Sequence, residues 1–284
     1  MNKKKSLQEL TIKDNFMFGA VMLDPENCKG ILERSLGIEI DRVEVSREKS
    51  IVYNPEYKGV RLDVYAKDEK NTHYDVEMQA LQKPAIKKRA RYYHSQLDME
   101  ILLSGLPYKD LPDTYVIFIC DFDPFGKQKY RYTQKKVCEE AKDVDLDDGA
   151  HTIFLSTKGN NADEVPEELV KLLNYVGASL SDSEQEFDDE FVRKLQSAVR
   201  DVKASREMGA RYMTFEELLK EEKEESKAEG RAESVLDFLC ELGPVPEDFQ
   251  ERILSERDTE VLRKWVKLAA KVNSIDEFRD KMSE

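Results

Sequence analysis

Two stretches decide the reading of this chain: Val60-Arg61-Leu62-Asp63-Val64-Tyr65-Ala66, and Tyr74-Asp75-Val76-Glu77-Met78-Gln79 a little further on. Strand side chains alternate between faces, so Val60, Leu62, Val64 and Ala66 point one way while Arg61, Asp63 and Tyr65 point the other. In the second stretch Tyr74, Val76 and Met78 form the apolar side and Asp75, Glu77 and Gln79 the polar one. The segment between them, Lys67-Asp-Glu-Lys-Asn-Thr72, is charged and turn-prone, as a hairpin connection requires. Such a hairpin sets the two polar faces side by side, with two carboxylates and an amide converging on one cation.

Working outward, Val43 to Tyr53 is strand-like and runs to an Asn54-Pro55 turn, giving three strands in a row, a meander. Before it, Asp14 to Leu36 reads as a helix with a break at Asp24-Pro25 and an end at Gly37. After it, Pro84 suits a first helical turn. Ile86, Ala90, Tyr93, Leu97, Ile101 and Leu102 continue a stripe to Ser104-Gly105, predicting a helix that covers the sheet. Thr114 to Cys120 is a continuous β-branched and aromatic run, the mark of a strand buried on both faces. Gln128 to Cys138 and Ala150 to Thr157 supply two further strands.

Beyond Pro166 the spacing turns helical, through Leu169, Leu172, Leu173 and Val176, then Phe187, Phe191, Leu195 and Val199. Phe215 to Leu239 contains a long charge run suited to a solvated helix or connector. Gly243-Pro-Val-Pro246 interrupts it, and Val261, Trp265, Leu268, Ala269 and Val272 form a last amphipathic helix. The expected division is residues 1–160 and a mainly helical region, 161–284.

The 284 residues carry a net charge of −14, with 37% charged residues. Residues 1–160 hold 26 Lys and Arg against 27 Asp and Glu, whereas 161–284 hold 19 against 32. The acidity therefore belongs to the C-terminal half. Directly after the Glu77 strand, Gln82 to His94 holds five basic side chains and no acid, among them Lys87, Lys88, Arg89 and Arg91. These can face phosphates, and they are equally what a solvated helix face presents. No apolar run follows the basic N-terminus, and none reaches the roughly 20 residues of a membrane helix, so a cytoplasmic protein without membrane contact is expected. Cys28, Cys120, Cys138 and Cys240 lack zinc-site spacing and read as reduced, buried thiols; His73, His94 and His151 are scattered.

Magnesium prefers oxygen ligands in near-octahedral geometry and retains several waters, so two carboxylates and a backbone carbonyl suffice to anchor it. Asp63 and Glu77 meet that demand, and a metal so held activates water toward a phosphodiester. Gln79 can position the water or a phosphate oxygen but supplies no positive charge. Alternation alone is also the pattern of an ordinary sheet with one wet face. No nucleotide-binding glycine loop, serine-hydrolase elbow, helix-turn-helix or zinc finger is visible.

The ordered motifs Asp14-Asn-Phe-Met-Phe, Arg61-Leu-Asp-Val-Tyr, Asp75-Val-Glu-Met-Gln, Arg89-Ala-Arg-Tyr-Tyr and Gly105-Leu-Pro-Tyr-Lys-Asp-Leu lead into Val116-Ile-Phe-Ile-Cys-Asp-Phe. Over about residues 10–157 the chain resembles the recombination-promoting nuclease and transposase-like family of the PD-(D/E)XK nuclease superfamily. The resemblance implies an α/β fold with a restriction-endonuclease-like core, a mixed sheet flanked by helices, followed by the α-helical C-terminal region. It implies a Mg²⁺-dependent DNA endonuclease of low sequence specificity, of mobile-element, recombination or defence character, with Mn²⁺ as the alternative cation. Asp63, Glu77 and Gln79 would be the catalytic trio, with Asp63, Glu77 and the Met78 carbonyl as metal ligands.

Gln79 stands where the superfamily has lysine, which leaves the positive charge to Arg89 or Arg91. Leu62 stands where the superfamily has proline. Asp14 is expected either as an additional acid or as a helix cap. The competing expectation is a nuclease-fold interaction module, weakly active or inactive, whose acidic helical region regulates it or binds a protein partner or a second copy.

Overall fold

The computed structural model describes residues 5–47, 50–51 and 60–282. Tyr53 and the expected Asn54-Pro55 turn lie outside them. The chain divides into two compact units, one through Gly209 and one from Ala210. The first two helices after Pro166, expected in the C-terminal region, fall in the first unit because they pack on its N-terminal helices.

The expected first helix is two, α1 (Asn15–Met22) and α2 (Pro25–Leu36). Pro25 starts α2 at a position where no N–H is needed, Asp24 accepts from the Glu26 N–H at 2.8 Å, and Gly37 ends it at φ 72°. The strands are β1 (Val43–Arg47), β2 (Ser50–Ile51), β3 (Val60–Arg61), β4 (Val64–Asp68) and β5 (His73–Gln79). Helix α3 (Ile86–Ile101) follows, then β6 (Thr114–Cys120), β7 (Arg131–Gln134) and β8 (Ala150–Ser156). Helices α4 (Glu167–Gly177) and α5 (Glu190–Ala204) complete the first unit.

Six strands form one mixed sheet in the order β1-β4-β5-β6-β8-β7, and β2 pairs with β3 in a separate two-stranded ribbon. The meander β1-β4-β5 is antiparallel, as the charged turn predicts. Asp68 ties that turn: one oxygen accepts the Lys70 and Thr72 N–H groups and the other accepts the Tyr74 hydroxyl. Strand β6 pairs in parallel with both β5 and β8, with α3 as the crossover, and is buried as its unbroken apolar run predicts. β7 is shorter than the expected strand over 128–138; beyond Gln134 only a bridge between Val137 and Asp145 remains.

Two departures from simple alternation matter for the site. The stretch over Val60–Ala66 is interrupted: β3 belongs to the ribbon, β4 to the main sheet, and Leu62-Asp63 is the point of transfer. And β5 has no wet face, for all seven of its residues are buried. Helix α3 lays Ile86, Ala90, Tyr93 and Leu97 over Val116, Phe118 and Cys120 of β6 and Phe154 of β8. Since Asp75, Glu77 and Gln79 pair with Val116, Phe118 and Cys120, the polar row of β5 lies on this covered face.

In the second unit, the C-terminal part of α6 (Arg206–Leu242) packs with α7 (Glu247–Ser255), α8 (Thr259–Ala269) and α9 (Ile275–Lys281). Ala228, Ala232, Val235 and Leu239 of α6 meet Phe249, Ile253, Leu262, Trp265 and Phe278 in one core, and the Trp265 indole donates to the Met282 carbonyl at 3.0 Å. The partner that the Trp265 stripe needs is thus this local helical cluster. Among the described residues no helix is long and apolar enough to cross a membrane. The four cysteines are free thiols; Cys28 and Cys120 are buried as expected, but Cys138 is half-buried and Cys240 exposed.

Candidate active site

The β4-β5 register places Val64 opposite Val76, so continuing the pairing outward brings Asp63 opposite Glu77. The backbone of each stretch serves the carboxylate on the other. The Asp63 N–H donates to Glu77 Oε1 at 3.0 Å, and the Met78 N–H donates to Asp63 Oδ2 at 3.1 Å. These bonds replace the ladder hydrogen bonds given up where the chain changes sheets. The N–H and C=O of one strand residue leave on the same edge, so the Met78 carbonyl also lies on the Asp63 side. The Gln79 carbonyl, on the other edge, accepts from the Asp121 N–H at 3.0 Å.

The remaining oxygen of Glu77 faces α3. Arg89 donates through Nη2 to Glu77 Oε2 at 3.2 Å and to the Tyr93 hydroxyl at 2.8 Å, and through Nη1 to Gln79 Oε1 at 3.0 Å. Gln79 Nε2 lies 3.4 Å from Glu77 Oε2. The helical spacing of Arg89 and Tyr93 sets both on the same side of α3. The structure therefore separates the four basic residues that sequence groups together: Arg89 joins the carboxylates, Lys87 and Arg91 line a cavity on the other flank of the helix, and Lys88 is exposed.

Crowding acids in a covered site changes their protonation. Glu77 is only 1% exposed, and burial, reinforced by the Asp63 charge, pushes its carboxyl up to about 8 despite the Asp63 N–H and Arg89. Burial likewise pushes Asp63 up to about 6, opposed by the Met78 N–H, Arg89, Lys83 and Arg61. Asp75 is fully buried and lies on the same face two residues before Glu77. Neither of its oxygens has a conventional donor among the described residues; burial, then repulsion from Glu77 and Asp63, raises its pKa far above the usual range. Its polar neighbour is the Glu77 carboxyl, and two carboxyl groups meet favourably only when one holds a proton. Sequence reading places Asp75 on the polar row without foreseeing this burial, because alternation does not reveal that a helix covers the row.

These groups suit a hard divalent cation: two carboxylates each held by a backbone N–H of the facing stretch, a carbonyl on the same edge, and excess buried acidity that a cation would neutralise. Among the described residues no cluster of three or more acidic, His or Cys side chains is arranged for metal binding. Asp14 stands at the N-cap position of α1, but its side chain makes no capping bond to the helix and turns back to the residues before it. Its Oδ2 accepts from the Thr11 N–H at 2.8 Å and its Oδ1 accepts Lys5 Nζ at 2.7 Å.

A sequence model of the family described as PD-(D/E)XK nuclease family transposase matches residues 29–237. No curated protein and no solved structure matches the chain.

Proposed function

The chain belongs to the PD-(D/E)XK nuclease family transposases, and from that premise we propose that it is a metal-dependent DNA endonuclease whose centre is the Asp63–Glu77 pair. The observation that carries this reading is the reciprocal backbone clamp at the break between β3 and β4, which holds the two carboxylates face to face beside Arg89.

Asp63, Glu77 and the Met78 carbonyl would hold Mg²⁺, or Mn²⁺ in its place, which when bound supplies an activated water and charge neutralisation at a phosphodiester. The protein supplies the rest. Its backbone N–H groups fix the directions of both carboxylates. Gln79 fills the superfamily's lysine position, and a glutamine there can do what a lysine cannot: its carbonyl accepts Arg89, whereas an ammonium would repel it. The missing positive charge thus sits on α3, in a planar fork suited to phosphate oxygens. Tyr93 holds that fork from the far side. Phosphate contacts carry no sequence information, which fits low sequence specificity.

The test is cleavage of supercoiled plasmid and linear duplex in Mg²⁺, in Mn²⁺ and in EDTA, with Asp63→Ala in parallel. Cleavage is expected only with metal and only with Asp63. Activity surviving EDTA or the substitution would overturn the proposal.

A further inference from the structure

On the other flank of α3 lies a cavity of 520 Å³, walled by α3, β6, β8 and the end of β7 and distinct from the carboxylate pair. Its volume is that of a small-molecule site, roughly 300–1,000 Å³. Its chemistry is graded along the helix. Lys87 and Arg91, one turn apart, mark the end nearer the C-terminal edges of β5 and β6, and neither is paired with an acid among the described residues. Asp98 and the Lys136–Asp148 ion pair mark the other end, about 16 Å from Lys87 along α3 at 1.5 Å per residue.

The wall and floor between these ends are built in advance. Asp123 accepts the Phe125 and Gln128 N–H groups and the Tyr132 hydroxyl, fixing the loop that presents Phe125. The Phe125 ring meets Phe154 edge-on at 5.1 Å, with Lys87 Nζ 4.5 Å from its centroid. On the floor, His94 joins Thr114 and Thr152 through its two ring nitrogens, each at 3.0 Å. Burial, and then Lys136, pushes this imidazole down to about 4, so the floor is neutral near pH 7 while retaining hydroxyl donors and acceptors.

We infer that this cavity binds a single nucleotide unit, its phosphate at Lys87 and Arg91 and its base against Phe125 over the His94 floor. The fit is one of kind at each point: two cations without an acid partner for a phosphate, an aromatic wall for a flat base, and neutral hydrogen-bonding groups for its edge. At the far end Lys136 is already paired with Asp148 and Asp98 adds a negative charge, which disfavours a phosphate there and so fixes one orientation. Phe118 connects the two sites: it pairs with Glu77, stacks on Phe154 at 5.3 Å, and has Arg89 at 5.7 Å over its ring. In DNA the occupant is an unpaired or extruded nucleotide, since a stacked base cannot enter a cavity. The choice of a nucleotide rests on the nuclease reading of the neighbouring site.

The test titrates full-length protein in EDTA with deoxynucleoside 5′-monophosphates and, as the control, deoxyribose 5-phosphate. Saturable binding of the nucleotide is expected. It should be at least tenfold weaker for the sugar phosphate, at least tenfold weaker in Lys87→Ala/Arg91→Ala, weakened in Phe125→Leu, and unchanged in Asp63→Ala. Absence of saturable binding, equal binding of the sugar phosphate, or indifference to the double substitution overturns the inference. Lys87 and Arg91 are exposed, so their variants should fold. A second arm uses a duplex with one unpaired 2-aminopurine: an emission change lost in the double variant assigns the cavity to the DNA strand, and nucleotide binding without that change assigns it to free nucleotide. Binding needs no cleavage, so nucleotide binding without nuclease activity refutes only the cleavage reading, and the reverse refutes only the cavity.

Discussion

Glu77 holds a carboxyl at 1% exposure with a pKa near 8, and its burial gives the site a dependence on pH even without metal. An unfolded glutamate titrates at about 4.3, so the folded state binds this proton more tightly than the unfolded one. Its contribution to stability is therefore complete below about pH 4 and lost as pH rises through 8. In EDTA, Glu77→Gln should gain stability over wild type on going from pH 5 to pH 9, on the order of 1–3 kcal/mol, read as a widening difference in Tm. A constant difference would show that Glu77 does not titrate in that window. Arg89 acts in the opposite direction. Because it is the partner of a buried carboxylate and is itself only partly exposed, Arg89→Ala should cost about 2 kcal/mol by denaturant titration at pH 8, and less at pH 5, where Glu77 is protonated. Gln79→Lys should lower cleavage by crowding Arg89, and adding Arg89→Ala to it should restore activity above that of Arg89→Ala alone. Loss in the double variant equal to or greater than in Arg89→Ala would refute the exchange of charge between positions 79 and 89.

Helix α3 gives the site both its cover and its charge, and its start is strained. Ala85, just before it, has φ 62°, in the left-handed region that favours glycine. Ala85→Gly should therefore raise stability by about 1 kcal/mol without altering cleavage, measured by urea unfolding. The elements of the first unit were legible in sequence to differing degrees. Thr114–Cys120 matches its run of apolar residues because a strand buried on both faces needs no alternation. The β4-β5 hairpin was readable as far as Val64, since its charged turn leaves one register that buries Val64 and Ala66, whereas the break at Leu62-Asp63 was not. What alternation could not show was that α3 covers the polar row, which is a property of packing between distant elements. For the same reason Asp75 and the separation of Arg89 from Arg91 emerged only in three dimensions, whereas the Asp14 carboxylate is engaged locally, by Lys5 and Thr11.

At the scale of the molecule, α6 carries the chain from the first unit into the second. α6 runs for 37 residues, about 55 Å at 1.5 Å per residue, yet between Tyr212 and Ala228 it buries no side chain. Helical stability comes mainly from tertiary packing, so this stretch is the least supported in α6. Limited proteolysis should cut first between Met213 and Lys227 and leave two resistant fragments, identified by mass; initial cleavage inside β5–β8 would contradict that ranking. The acidic half also has a local account. Many of its carboxylates lie on exposed helical surface, where charge favours solubility.

The turn between β4 and β5 bears on how the family can tolerate changes of length. Asp68 closes this connection on Lys70, Thr72 and Tyr74, and the pairing beyond it sets Asp63 against Glu77. Side chains alternate with period two, so one residue gained or lost in 69–72 would either break the Asp68 turn or turn one acid to the opposite face. An insertion or deletion there should be as disabling as replacing a carboxylate, even though every candidate catalytic residue would survive it. The exposed connection between β7 and β8 imposes no such spacing on the acids.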